Sequence, residues 1–151
     1  MVSLNFPTYD FKIRKTDTSI QIFDDIRKKW VALTPEEWVR QHMVTYLIEE
    51  KHFPKQLISV EMPITVNGCS RRCDIVIFDR MASPLIIVEC KASTVELSQK
   101  TFDQAAGYNL KLNVGFLLIT NGIKHFLCKI DTETKRYVFL KEIPFYDEIV
   151  L

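Results

Sequence analysis

The apolar stretch Leu85-Ile86-Ile87-Val88 runs straight into Glu89-Cys90-Lys91. A strand that is apolar on both faces belongs at the centre of a sheet, where charges need a reason. Period-two alternation puts Glu89 and Lys91 on one face and Cys90 on the other. Upstream, Asp74 immediately precedes a second apolar run, Ile75-Val76-Ile77-Phe78. A meander would lay that strand beside the Glu89 strand and bring the two carboxylates together. Paired carboxylates at a sheet edge form a hard oxygen site for Mg²⁺ or Mn²⁺, ions that keep several waters and accept substrate phosphate oxygens. Such an ion lowers the pKa of bound water and neutralises charge growing on a phosphoryl group, while Lys91 orients the nucleophile or stabilises the developing charge. The chemistry this set fits is phosphodiester hydrolysis. The competing arrangement is a partly buried ion cluster without metal, and spacing alone weighs the two evenly.

These residues need elements to position them. Thr34-Pro35-Glu36-Glu37 supplies an N-cap threonine, a proline at the first helical position and a glutamate three residues after the cap, which predicts a capping box. Val39, Met43, Tyr46 and Leu47 then form one apolar stripe until Phe53-Pro54 ends the helix. Gln56 to Thr65, Cys73 to Phe78 and Leu85 to Cys90 read as three strands of a meander, the first broken by Asn67-Gly68. A second helix is predicted from Glu96 or Ser98 to Asn113, with Phe102, Ala106 and Leu110 along one face. Val114 to Thr120 follows as a strand. Asn121-Gly122 has the residue types of a two-residue type I′ turn, returning the chain as His125 to Ile130. Tyr137 to Ile143 is a last strand after a polar turn at 131 to 136. Before the first helix, Phe11 to Arg14 alternates, and Ser19 to Phe23 pairs with Lys29 to Leu33 around Asp24-Asp25.

The expected fold is α/β (α+β), an αβββαβ core with a mixed central sheet. One domain of 1–151 is expected, with a β appendage over 1–33, the core over 34–130 and a C-terminal strand in 131–151. A chain of this length buries roughly two-thirds of its unfolded surface, enough for one core. The net charge of +1 gives no long-range field for nucleic acid, so local patches must carry any such contact. Lys12, Arg14 and Lys15 form one, Arg27, Lys28 and Lys29 another, Arg71 and Arg72 a third; solvated hairpin faces explain each equally well. No apolar run reaches the ~18 residues of a membrane span and no signal pattern opens the chain, so a cytoplasmic protein with no membrane partner is expected. Cys69, Cys73, Cys90 and Cys128 sit in or beside strand-like segments, which suits reduced thiols. Cys69 and Cys73 alone are a weak zinc signal, and His42, His52 and His125 are scattered.

Asp74, then Glu89-Cys90-Lys91, then Gln104-Ala105-Ala106-Gly107-Tyr108 resembles the D…ExK…QxxxY signature of RecB-like PD-(D/E)XK nucleases. More narrowly, Val39-Arg40-Gln41, Arg72-Cys73-Asp74, Val88 to Ala92, Asp103 to Ala106, Tyr108-Asn109 and Thr120-Asn121-Gly122 look like the N-terminal nuclease domain of type I restriction enzyme R subunits. The resemblance covers about residues 34 to 130. It implies a restriction-endonuclease-like fold in which Asp74 and Glu89 bind Mg²⁺ or Mn²⁺, the Cys90 backbone carbonyl is a further ligand and Lys91 is catalytic. It also implies that Gln104 and Tyr108, one helical turn apart, position the active site or DNA. Arg40, Gln41, Arg72 and Asn109 are further positioning or DNA-binding candidates.

Cys73 stands where the motif name has proline, a departure many members tolerate. Glu37 and Glu61 are additional candidate ligands, although Glu37 is explained more readily as a helix cap and Glu61 equally well as an exposed strand charge. No GxxxxGK[ST] phosphate loop occurs, so the expectation is a nuclease core without its own motor, working on DNA beside a separate motor or specificity subunit. The alternative is an inactive scaffold of the same fold that binds nucleic acid or supports assembly.

Overall fold

The computed structural model describes residues 1–131 and 133–150. Thr132, in the predicted polar turn, and Leu151 lie outside the described residues. A small antiparallel sheet comes first, β1 (Ile13–Lys15), β2 (Ile20–Asp24) and β3 (Lys29–Ala32), in the order β1-β2-β3. Helix α1 (Pro35–Glu49) follows, then β4 (Ile58–Val66), β5 (Cys69–Phe78), β6 (Pro84–Cys90), α2 (Gln99–Leu112), β7 (Phe116–Thr120), β8 (His125–Asp131), β9 (Arg136–Leu140) and α3 (Tyr146–Ile149). Strands β4 to β9 form one mixed sheet in sequence order. All neighbours are antiparallel except β6 and β7, which run parallel and are joined through α2. A parallel pair requires such a crossover, and this one carries α2 onto the sheet. The mixed α/β fold is as expected.

The helices cover opposite faces. Val39, Met43 and Leu47 of α1 pack with Ile75, Ile77, Ile86, Val88 and Leu118, and α3 closes that side through Tyr146, whose ring lies 5.3 Å from that of Phe53. On the other face, Phe102, Ala105 and Ala106 of α2 meet Leu117, Ile119, Cys128 and Ile130. Strand β6 is therefore apolar on both sides because helices lie over both. Helix α1 is enclosed more fully than one stripe predicts. Its Glu37, Arg40, Gln41 and His42 are buried as well, since the N-terminal segment folds over its outer side. His42 meets Trp38 and Phe11 there edge to face, with ring centres 4.3 and 4.8 Å apart.

Local signals mostly held, with identifiable exceptions. Thr34 caps α1 by accepting from the Glu37 amide at 3.0 Å, but the reciprocal half of the predicted box is not made, because the Glu37 carboxylate turns to arginines instead. Ser98 caps α2, and Asn113 ends it at φ 57°, a left-handed position that asparagine tolerates. The two-residue turn with both φ positive falls at Asn67-Gly68, between paired Val66 and Cys69. Asn121-Gly122 instead belongs to a four-residue connection, since Thr120 pairs with His125. There the Asn121 Oδ1 accepts from the amides of Ile123 and Lys124 at 3.0 and 2.9 Å, and the Asn5 amide donates to the Gly122 carbonyl at 2.7 Å. A Cβ on Gly122, at φ +85°, would sit 2.8 Å from Leu4 Cδ2, so the N-terminal segment sets this turn. The final predicted strand is shorter than expected, and the chain ends in α3 because Tyr146 and Ile149 complete the α1-side core. No helix among the described residues is long and apolar enough to cross a membrane.

Candidate active site

Antiparallel pairing of Ile75 with Val88 and Val76 with Ile87 brings Asp74 alongside Glu89 at the end of that ladder. Asp74 substitutes a side-chain bond for the next backbone one, its Oδ2 accepting from the Cys90 amide at 2.8 Å. The Lys91 amide donates to the Thr120 carbonyl at 2.8 Å, so β7 holds the other edge of the Glu89-Cys90-Lys91 segment. Alternation then operates as predicted. Cys90 enters the α1-side core, while Glu89 and Lys91 enter a cleft on the α2 side.

This cleft has a volume of about 460 Å³ and is also lined by Arg71, Gln104, Tyr108 and Lys111. Gln104 and Tyr108 thus share the cleft with Glu89 and Lys91, one helical turn apart on α2. Glu89 is only 7% exposed and pairs with Arg71. Burial pushes its carboxyl above the usual range against the pull of Arg71, and the nearby Asp74 charge pushes the same way. Arg71 also lies over the Tyr108 ring, its Cζ 4.6 Å from the centroid.

Arg71 reaches this cleft because strands β4 and β5 exchange faces between their ends. Pairing passes from Val60 with Ile75 to Met62 with Cys73, with none at Glu61 and Asp74, and Glu61 takes φ 52°. Before that point Val60, Ile75 and Ile77 pack on the α1 side; beyond it Ile64 and Cys73 pack with Leu112 of α2. The outer half of the hairpin therefore forms a wall of the α2-side cleft.

The opposite flank of Asp74 is a dense ion network. Arg40 Nη1 lies 3.5 Å from Asp74 Oδ1 and 3.3 Å from Glu61 Oε1. Glu37 accepts four bonds on its two oxygens: from Arg27 at 2.7 Å, from Arg40 at 2.5 and 2.9 Å, and from Gln41 at 3.1 Å. Burial would raise the Glu37 carboxyl, but Arg40, Gln41 and Arg27 together hold it below its ordinary value. Glu61 is likewise lowered, since Arg40, Arg72 and Arg27 outweigh its burial.

A family model described as the type I restriction enzyme R protein N terminus matches residues 35–144. The chain belongs to that family. Among solved structures, one described as a fragment of an HsdR subunit of a type I restriction enzyme from Vibrio vulnificus YJ016 matches with a TM-score of 0.50 and 24% identity. That match covers 71% of this chain and 23% of the other, and it establishes likeness of fold. A search of curated proteins found no match. The family region begins with α1 and ends before α3, so β1 to β3 lie outside it, including the Asp24 and Arg27 that reach the network.

Within this R-protein domain the remaining candidates divide clearly. Glu37 and Glu61 do not join Glu89 in the cleft; arginines occupy their oxygens. Gln41 is buried against Glu37, and Arg72 is exposed and paired with Glu61 at 3.3 Å. Asn109, expected to position the site or contact DNA, lies inside the fold. It is 0% exposed, and its Nδ2 donates to the Phe116 carbonyl at 3.0 Å, tying α2 to β7. Sequence reading also missed two arginines. Arg27 looked like part of a solvated turn, yet it reaches Asp24, Glu37 and Glu61. Arg71 looked like half of an exposed basic pair; it shares a face with the buried Cys73 two residues on, but only the break at Glu61 turns that face to the α2 side. The cysteines are free, and burial pushes the Cys73 thiol up to about 11, which leaves it protonated at neutral pH.

Proposed function

We propose that this domain hydrolyses DNA phosphodiester bonds as a PD-(D/E)XK nuclease of the QxxxY subgroup in a type I restriction-like system. The observation that carries the reading is the convergence of Glu89 and Lys91 in one polar cleft with Gln104 and Tyr108, with Asp74 beside Glu89. The donor chemistry fits a divalent metal. The carboxylates of Asp74 and Glu89, the Cys90 carbonyl and water would hold Mg²⁺ or Mn²⁺, ions that favour few protein ligands; among the described residues no group of three or more His, Cys, Asp or Glu side chains gathers as a fuller ligand set. When bound, the ion would supply Lewis-acid neutralisation of phosphoryl charge.

The protein's own groups account for the rest. Lys91 carries its ammonium into the cleft beside Glu89, where it orients the attacking water and stabilises charge developing on the phosphate. The Cys90 amide holds Asp74 Oδ2 and so limits its rotation. Gln104 presents its amide and Tyr108 its ring along the wall on which the backbone would lie. Family membership supports this assignment and suggests DNA, a separate motor and a specificity subunit as partners in the cytoplasm.

One observation favours the alternative of a binding or assembly scaffold: each carboxylate already faces an arginine, Glu89 with Arg71 and Asp74 with Arg40. Incubation of the purified chain with plasmid, linear and single-stranded DNA in Mg²⁺ or Mn²⁺ separates the two. The nuclease reading expects cleavage that disappears in both Glu89→Ala and Lys91→Ala. DNA binding without metal and without cleavage would support the scaffold instead.

A further inference from the structure

Arg71 has three features that a simple structural ion pair does not need together. One end of its guanidinium meets Glu89, its face rests on the Tyr108 ring 4.6 Å away, and its Nη1 is buried with no acceptor. Guanidinium is a planar fork of five N–H donors and cannot shed its charge. Desolvating one of those donors without a protein partner is costly, which leaves Arg71 with bonding capacity to spare beside the cleft. The cleft around it carries more cations than carboxylates: Lys91 and Lys111 join Arg71 against Glu89 and Asp103, and the Lys111 ammonium lies 6.0 Å from the centre of the Tyr108 ring.

We propose that Arg71 binds a phosphodiester oxygen of the nucleic-acid substrate, with the Tyr108 ring as its platform and Glu89 as its alternative partner. This rests on the nuclease reading above and names the group that holds the substrate. Neutralisation of Glu89, by a cation or by mutation, weakens its hold on Arg71, and the guanidinium turns its fork to the phosphate. Phosphate suits it because two parallel N–H bonds match two oxygens. In this arrangement Tyr108 acts through its ring, and its hydroxyl is dispensable.

The test is fluorescence anisotropy of a labelled 20-base-pair DNA duplex with the full chain in EDTA, across a salt series, with thermal unfolding to confirm that each variant is folded. Glu89→Gln should bind more tightly than the parent. Placing Arg71→Ala on that background should weaken binding roughly tenfold and reduce the slope of log affinity against log salt by about one, the loss of a single phosphate contact. Tyr108→Phe should bind like its parent, and Tyr108→Ala should resemble Arg71→Ala. Arg136→Ala, on the exposed strand β9, controls for lost charge. If Arg71→Ala does not fold, Arg71→Lys serves, and it too should bind more weakly because an ammonium lacks the fork and the stacking face. Arg71 variants with the affinity and salt slope of Arg136→Ala overturn the assignment while leaving the nuclease reading intact. Absence of binding by both the parent and Glu89→Gln also overturns the assignment, and cleavage in Mg²⁺ or Mn²⁺ then decides the nuclease reading separately.

Discussion

Two carboxylate–arginine systems flank Asp74, and they differ in saturation. On the α1 side, Glu37 takes four bonds from three side chains and its carboxyl is held below the ordinary range. On the α2 side, Glu89 is buried against one arginine with its carboxyl pushed up, and that arginine keeps an unpartnered nitrogen beside an open cleft. Charges of similar kind on either side of Asp74 thus serve different ends. A saturated network resists change and holds elements together, here β2, α1 and β4. An unsaturated one is poised to exchange partners, as a substrate site must be.

The comparison breaks most visibly if the two glutamates are exchanged in their effects. Glu37→Ala should cost about 3–5 kcal/mol in urea unfolding, because it removes four bonds among buried side chains and leaves Arg40 with only its longer contacts to Glu61 and Asp74. Glu89→Gln should change stability by less than about 1 kcal/mol, since it removes a carboxylate whose charge was already disfavoured by burial. A large stability loss in Glu89→Gln, or a small one in Glu37→Ala, would mean the two systems are alike. In cleavage the order should reverse: Glu89→Gln and Lys91→Ala should each lower the rate at least about 10²-fold while remaining folded.

Asn109 offers an intermediate effect. Replacing it with Ala leaves the Phe116 carbonyl without its donor and should cost about 1–3 kcal/mol by thermal or urea unfolding, with metal-free DNA affinity unchanged. Lost affinity in a folded Asn109→Ala would return it to the cleft machinery. The smallest effect is the pH dependence of the saturated side. Because the folded-state value of Glu37 is depressed, its contribution is present above the usual glutamate value of 4.5 and is lost as pH falls through the folded value. The stability gap between parent and Glu37→Gln should therefore narrow below about pH 4.5. A gap that widens in acid would show that the arginines do not hold Glu37 charged.

Much of the fold was legible because its signals are local. Thr34-Pro35 and Ser98 mark where helices start, Asn113 where one stops, and the apolar runs of β5 and β6 mark buried strands. The candidate site was partly legible for the same reason: alternation along one strand was enough to send Glu89 and Lys91 to one face and Cys90 to the other. The turn at Asn121-Gly122 was less so, because the segment around Leu4 and Asn5 sets it from more than a hundred residues away.

By itself, then, the sequence determined the order of elements up to β9 and the shared face of Glu89 and Lys91, since backbone periodicity and capping depend on neighbours along the chain. Tertiary structure alone decided which arginines attend the carboxylates. The left-handed residue at Glu61 and the missing pair with Asp74 carry Arg71 to the α2 side, where alternation counted from Ile75 would not place it. Packing of a separate sheet brings Arg27 to Glu37. Glu37 itself turns from its helix cap because two guanidinium groups within bonding distance outcompete one backbone amide. Each of these depends on charges and strands that meet only after the chain has folded.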